Sequence, residues 1–121
     1  VVPLVGPSSI FMALTASGMN GQNFAFVGYL PVKPNEREQR IRQLENRSRN
    51  EGQSQLFIEA PYRNNQLLTS LLSACNKSTR ICIACNITLD DEFIVTKTVE
   101  AWKKQLPDLH KKPCIFIIDA R

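Results

Sequence analysis

The chain has 121 residues, of which 43% are hydrophobic and 21% charged, with a formal net charge of +4. That gives room for one domain with a modest core and not comfortably for two, and the composition is ordinary for a globular fold. No apolar run approaches the ~20 residues that a bilayer span needs. The reading therefore expects a cytoplasmic chain with no membrane partner, whose small positive charge serves solubility or an anionic partner.

Val1-Val2-Pro3-Leu4-Val5 reads as a strand end running into Gly6-Pro7-Ser8-Ser9, a helix start whose unpaired backbone N–H groups suit a ligand. There is no initiator Met here, and the reading expects a segment before it. Ile10 to Ser17 is apolar nearly all round, a helix to be buried on most sides and ended by Gly18. Phe24 to Leu30 reads as a strand stopped by Pro31, with Gly28 marking a bulge or a close approach to the backbone.

A second helix is expected from Asn35 to Asn50, with Asn35 and Glu38 in capping register and Gly52 just past its end. Only Ile41 and Leu44 form an apolar seam, while Arg37, Arg40, Arg42, Arg47 and Arg49 crowd the rest. This describes a thin amphipathic helix on the surface, its arginines either solvated or turned toward RNA. Gln55 to Ala60 is the next strand, closed by Pro61-Tyr62-Arg63 and followed by a helix on the Leu67, Leu68, Leu71, Leu72 stripe. Then come a strand through Cys82 and Cys85, a loop from Ile87 to Asp91 and a strand from Phe93 to Thr96. Thr98 is placed to cap a short helix through Trp102 and Lys104 that Pro107 stops, and Cys114 to Ile118 forms a last buried strand ending at Asp119.

Strands separated by helices predict an α/β domain: a mixed, mostly parallel sheet of about five strands with helices on both faces. The short link between the cysteine strand and the Phe93 strand predicts one antiparallel neighbour. Cys82 and Cys85 have C-x-x-C spacing, but on a strand residues three apart face opposite ways. The four cysteines are read as buried, reduced side chains, with no metal site.

In open α/β sheets, ligands gather beyond the carboxyl ends of strands. Three segments qualify: Gly6-Pro7-Ser8-Ser9, Glu59-Ala60-Pro61-Tyr62-Arg63 and Asn86-Ile87-Thr88-Leu89. Each also has a plain structural role, with Ser8 or Ser9 as a helix cap, Glu59 as the partner of Arg63, and Thr88 as a turn residue. No nucleophile elbow, P-loop or H-E-x-x-H is present, and His110 is the single histidine, so no catalytic residue is assigned.

Taken in order, Pro3-Leu4-Val5-Gly6-Pro7-Ser8-Ser9, Phe24 to Lys33, Glu59-Ala60-Pro61-Tyr62-Arg63, the strand ending Asn86-Ile87-Thr88 and the Thr98-to-Trp102 helix resemble the second domain of the tetrapyrrole (corrin/porphyrin) methylase superfamily. The Phe26-Val27-Gly28-Tyr29-Leu30-Pro31-Val32-Lys33 and Glu59 to Arg63 stretches are most like the branch that methylates a ribose 2′-hydroxyl in small-subunit ribosomal RNA. The resemblance implies an S-adenosylmethionine-dependent methyltransferase of two α/β domains with the methyl donor in the cleft between them. This chain would be the C-terminal half, residues 1–121 forming one domain, with the N-terminal domain and its glycine-rich cofactor loop missing.

Carried over on the motifs, Ser8, Ser9, Glu59, Ala60, Ile87 and Thr88 would touch the cofactor, and Tyr62 and Arg63 the substrate. The acceptor would be an rRNA ribose or a tetrapyrrole-like ring, and the implied assembly is a homodimer. Where the RNA-modifying branch usually has Arg-Glu-Leu-Thr-Lys, this chain has Cys85-Asn86-Ile87-Thr88-Leu89 and keeps only Thr88. The alternatives are a non-catalytic RNA-binding or scaffold domain working through the arginine-rich helix, and a redox or zinc module on Cys82 and Cys85.

Overall fold

A computed structural model describes residues 23–85, 93–109 and 114–120. In chain order these residues form β1 (Phe24–Tyr29), α1 (Pro34–Glu51), β2 (Ser54–Ile58), a 3₁₀ turn (Pro61–Arg63), α2 (Asn64–Ala74), β3 (Arg80–Cys85), β4 (Phe93–Thr98), α3 (Val99–Lys104) and β5 (Cys114–Asp119). The opening strand and the Ile10 to Ser17 helix expected from the sequence lie outside the described residues.

The five strands make one sheet in the order β1-β2-β5-β3-β4. Only β1 and β2 pair parallel, and β2–β5, β5–β3 and β3–β4 are antiparallel. The five-stranded mixed sheet expected from the sequence is present, but it is corrected from mostly parallel to mostly antiparallel pairing. Each strand–helix–strand passage does return a strand in its starting direction, as the alternation of elements implied. β4 pairs antiparallel with β3, so β4 and β5 run down where β1, β2 and β3 run up. β5 then inserts between β2 and β3 and pairs antiparallel with both. Crossover direction is written in local pattern, but neighbour identity is a long-range choice.

The upward strands β1, β2 and β3 therefore end on one edge of the sheet. Register fixes the alignment: Ile58 at the end of β2 pairs with Ile115, which pairs with Ala84, and the last residue of β3, Cys85, pairs with Cys114. The exits of β2 and β3 stand side by side on this rim with the start of β5 between them, roughly 10 Å apart at ordinary strand spacing.

All three described helices cover one face. Ile41, Leu44, Leu67, Leu71, Val99 and Trp102 pack there against Phe57, Ile81, Ile83, Phe116 and Ile118. The alternate residues Leu56, Cys82, Ala84, Ile115 and Ile117 form a second buried cluster on the opposite face. Cys82 and Cys85 accordingly belong to different clusters, as strand alternation requires.

α1 begins at Pro34 with Lys33 as N-cap and no side-chain cap, so the expected Asn35 capping register is not used. Proline at the first helical position gives up an N–H that would be unpaired anyway. Gly52 closes the helix at φ 61°, as expected from its position. Thr98 caps α3, its Oγ1 accepting from the Ala101 N–H at 3.3 Å.

Gly28 sits at φ 85° beside a break in register between Phe26 and Gly28, the bulge that a glycine within a strand suggested. The extra residue, Val27, resets the alternation. Phe26 pairs with Leu56 and Tyr29 with Ile58, so two aromatic residues three apart share the face of the second cluster. Both stay exposed along this edge strand.

The cysteine expectation is corrected as well. Cys75 and Cys82 are free and buried, but Cys85 and Cys114 form a disulfide. They are direct partners across β3 and β5, with Cα atoms 4.2 Å apart. The pairing depends on β5 lying beside β3, which sequence spacing does not reveal.

Candidate functional site

The rim draws on the residues that follow β1 and β2 and on the end of β3. Past β2, Glu59 turns inward, its side chain 1% exposed. Its Oε1 accepts from the Ala60 N–H at 2.7 Å and from Arg63 Nε at 3.2 Å. The Glu59–Arg63 pair read from the sequence is therefore present. The 3₁₀ turn Pro61–Arg63 brings Arg63 back over the carboxylate, with the Arg63 N–H bonded to Ala60 O at 2.8 Å.

Arg63 also donates from Nη1 to the Tyr62 hydroxyl at 3.0 Å, and its Cζ lies 4.8 Å from that ring's centroid. The result is an ordered trio: a buried carboxylate, a half-covered guanidinium, and a tyrosine ring that is 60% exposed at the rim. A cation over an aromatic face at such a site contributes roughly 0.5–1 kcal/mol, enough to bias the ring's position.

The second oxygen of Glu59, Oε2, is buried and has no hydrogen-bond partner. A buried carboxylate oxygen without a donor costs on the order of 1–3 kcal/mol, so native folds keep few of them. An arriving donor group would relieve that cost. Among the residues carried over from the family motifs, this oxygen is the strongest structural sign of a ligand.

At the end of β3, a cavity of about 170 Å³ is lined by Cys85, Phe93, Pro107, Asp108 and Leu109. The start of α2 holds its outer wall: Asn64 Nδ2 donates to Leu109 O at 3.2 Å, and Asn65 Oδ1 accepts from the Leu109 N–H at 2.8 Å. Ligand pockets usually measure roughly 300–1,000 Å³, so this space suits part of a ligand.

A cleft of about 520 Å³ lies between the first half of α1 and α2, bordered by Val32, which follows β1, and by Arg37. Arg37 is 4% exposed. It belongs to a stripe with Ile41, Leu44 and Ser48 that α1 buries, along with Glu45. The sequence reading left Arg37 among the surface arginines. The spacing 37-41-44-48 was the available signal, masked by a charged residue standing where an apolar one is expected.

Of the sequence-predicted site residues, Glu59, Ala60, Tyr62 and Arg63 lie together at the β2 exit. Ser8, Ser9, Ile87 and Thr88 lie outside the described residues. Among the described residues there is no cluster able to hold a metal ion, and no helix is long and apolar enough to cross a membrane.

The fold is an α/β domain in which β1, β2 and β3 end on one edge, the edge where ligands gather in open α/β sheets. Solved structures share that fold. The methyltransferase CobJ superposes with TM-score 0.58 over 91% of this chain and 46% of its own, at 16% identity. Cobalt precorrin-4 methyltransferase, CbiF, superposes with TM-score 0.55 over 92% of this chain and 48% of its own, at 15% identity.

In sequence, the chain is 30% identical over 106 residues to Ribosomal RNA small subunit methyltransferase I of Xylella fastidiosa (strain 9a5c), covering 88% of this chain and 37% of that protein. The proteins of the same name from Vibrio cholerae serotype O1 and Mesorhizobium japonicum are 32% and 34% identical, over 78% and 84% of this chain and 31% and 33% of their own lengths. No protein-family model matches. The chain is homologous to part of the small-subunit rRNA methyltransferase I proteins and shares its fold with CobJ and CbiF. It spans roughly a third to two-fifths of the length of those curated relatives.

Proposed function

We propose that this chain is the C-terminal half of a two-domain methyltransferase and supplies one wall of an S-adenosylmethionine cleft, with an rRNA ribose 2′-hydroxyl as acceptor. The observation that carries this reading is the unpartnered, buried Glu59 Oε2 at the β2 exit. A nucleoside brings the missing donor, as a ribose hydroxyl or an amino group. This chain's own residues suit such a ligand: Glu59 would accept that donor and Ala60 would lie against the adenosine. Ser8, Ser9, Ile87 and Thr88 are proposed as further contacts on the strength of the motifs alone.

When bound, the cofactor supplies an electrophilic methyl group. The rest is placement. Arg63 fixes Glu59 from one side, so the carboxylate presents its free oxygen in a defined direction. Tyr62, held by Arg63, offers an exposed ring against which an acceptor base or ring can lie. Holding two reactants within reach and aligned can supply much of the rate of such a displacement. The names of the relatives favour an rRNA acceptor, and those of CobJ and CbiF favour a corrin-like ring as the other candidate.

The rival scaffold reading draws less support from α1. Arg42, Arg47 and Arg49 each face a glutamate one turn away, at 3.4, 3.8 and 4.0 Å, so much of the basic face is neutralised within the helix. A homodimer remains the expected assembly on family grounds.

The test uses the whole protein that carries this chain, with radiolabelled S-adenosylmethionine and two acceptors: small ribosomal subunits lacking their ribose methyl groups, and a corrin precursor. Label in alkali-stable ribose of the rRNA is the expected result. Label in the ring would move the acceptor to the corrin class, and label in neither would remove the methyltransferase reading.

A further inference from the structure

We infer that the cleft between α1 and α2 is a phosphate-binding subsite built on Arg37, which takes a backbone phosphate of an RNA substrate. Arginine stays protonated in proteins, so the 4%-exposed Arg37 carries a buried positive charge. Buried charges are normally paired with an opposite one. Arg37 has no carboxylate partner among the described residues. Its Nε donates to Ser70 Oγ at 2.9 Å, and Nη1 makes only a long 3.5 Å contact with Val32 O. Both acceptors are neutral, and they leave further guanidinium N–H groups for the cleft that Arg37 lines.

The walls suit an oxyanion. Gln66, Thr69, Ser70 and Ser73 are neutral, hydrogen-bonding side chains from one face of α2. Ser70 Oγ already accepts from Arg37, so its own proton is available to a ligand oxygen. Thr69 Oγ1 donates to Asn65 O at 3.0 Å, so the donors for an oxyanion are the Arg37 guanidinium with the serine hydroxyls, an arrangement that recognises phosphate through charge-assisted bonds. One carboxylate, Glu38, also lines the cleft, and it is drawn aside by Arg42 Nη2 at 3.4 Å. It opposes an anion in the cleft, which makes it a useful probe.

Position supports the assignment of the phosphate to a substrate. Val32 and Pro34 follow β1, whose end lies beside that of β2 on the rim, so the α1 border of the cleft starts from the same edge of the sheet as the Glu59 site. That the phosphate belongs to RNA rests on the proposed acceptor; the existence of an oxyanion subsite does not.

The test is fluorescence-anisotropy titration of the full chain with a labelled single-stranded RNA oligonucleotide across a salt series, with inorganic phosphate as competitor. Arg37→Met keeps the bulk of the side chain and removes its charge. It is expected to weaken RNA binding about tenfold, whatever the base sequence, and to reduce the salt slope by about one. Glu38→Gln, which removes the opposing carboxylate, is expected to tighten binding about threefold. Arg37→Met that melts like the parent and binds RNA with unchanged affinity and slope would overturn the inference.

Should Arg37→Met fail to fold, Glu38→Gln decides: tighter binding sustains the subsite and unchanged binding removes it. Inorganic phosphate that stabilises the parent but does not compete with RNA would remove the RNA assignment. Failure of the methyltransferase reading would appear separately, as absence of S-adenosylmethionine binding with the RNA salt slope intact.

Discussion

Two buried glutamates at opposite ends of the sheet show how differently this fold treats its charges. Glu45, on α1, faces the edge where β3 begins. Its Oε2 accepts from the Asn76 N–H at 2.7 Å and from the Thr79 hydroxyl, with Arg49 at 4.0 Å. At the same edge, Asp119 pairs with Arg80 at 3.0 Å, and Ser48 Oγ accepts from the Ala120 N–H at 3.0 Å. Its orphans, Ser54 Oγ and Gln55 Oε1, are both uncharged. At the rim, by contrast, Glu59 keeps an oxygen without a donor and Arg37 has no carboxylate partner among the described residues. Incomplete pairing of buried charge is costly, and a fold that pairs its buried charges at one edge and leaves them open at the other points to the open edge as the place for a ligand.

The largest effect expected from this contrast is on stability at the closed edge. Glu45→Ala would strand the Asn76 N–H and the Thr79 hydroxyl, and should cost about 3 kcal/mol in urea unfolding. Glu59→Gln keeps an oxygen for the Ala60 N–H and should cost under about 1 kcal/mol. Equal losses would erase the distinction between the two edges.

Next in size is the covalent tie at the rim. The Cys85–Cys114 disulfide spans 29 residues. Its reduction should lower stability by about 2–3 kcal/mol, under the ceiling of about 3.6 kcal/mol that the chain-entropy account sets. The readout is a shifted unfolding midpoint with dithiothreitol, alongside mass spectrometry of alkylated thiols. Cys75 and Cys82 should resist alkylation in the folded state, since burial pushes both thiols above their ordinary value of 9.0, with the Glu45 carboxylate adding to the rise at Cys75. The sign follows: these thiols stay protonated in the fold, while the unfolded chain loses their protons above pH 9. Stability is thus unaffected by them below pH 9 and falls as pH rises beyond it.

A smaller change is expected at the bulge. A Cβ on Gly28 would meet only Phe26 Cε2, at 4.0 Å, so space is not the obstacle. The φ of 85° is, and Gly28→Ala should cost about 1–2 kcal/mol. A neutral substitution would mean that the strand relaxes, turning Tyr29 away from the face it shares with Phe26. Smallest of all, Arg42→Ala and Arg47→Ala break exposed pairs one turn apart on α1, and each should change stability by no more than about 0.5 kcal/mol.

The same contrast explains what could be read from the sequence. Elements made by local pattern were legible: the leucine stripe of α2, the Thr98 cap, the Gly52 stop and the Gly28 bulge. The Glu59–Arg63 pair was legible because four residues and an intervening proline turn bring the two together. What depended on strand order was not. The insertion of β5 between β2 and β3 left a single parallel pair in the sheet and placed Cys114 opposite Cys85, and nothing in the spacing of the cysteines announces that. Arg37, Glu45 and Ser48 were hidden for another reason. Each is a polar residue buried beside a partner from a distant segment, so a hydrophobicity pattern assigns it to water.

The most direct measurement is calorimetric titration of S-adenosylmethionine into the whole protein that carries this chain, alongside its Glu59→Gln variant. Gln can still accept at one position but cannot meet a donor with a full carboxylate charge. The account predicts binding by the parent and a loss of about tenfold or more in the variant, with the melting temperature nearly unchanged. Binding of equal strength in both would mean that the open oxygen of Glu59 has no ligand to serve, and the rim would lose its claim to be half of a nucleoside site.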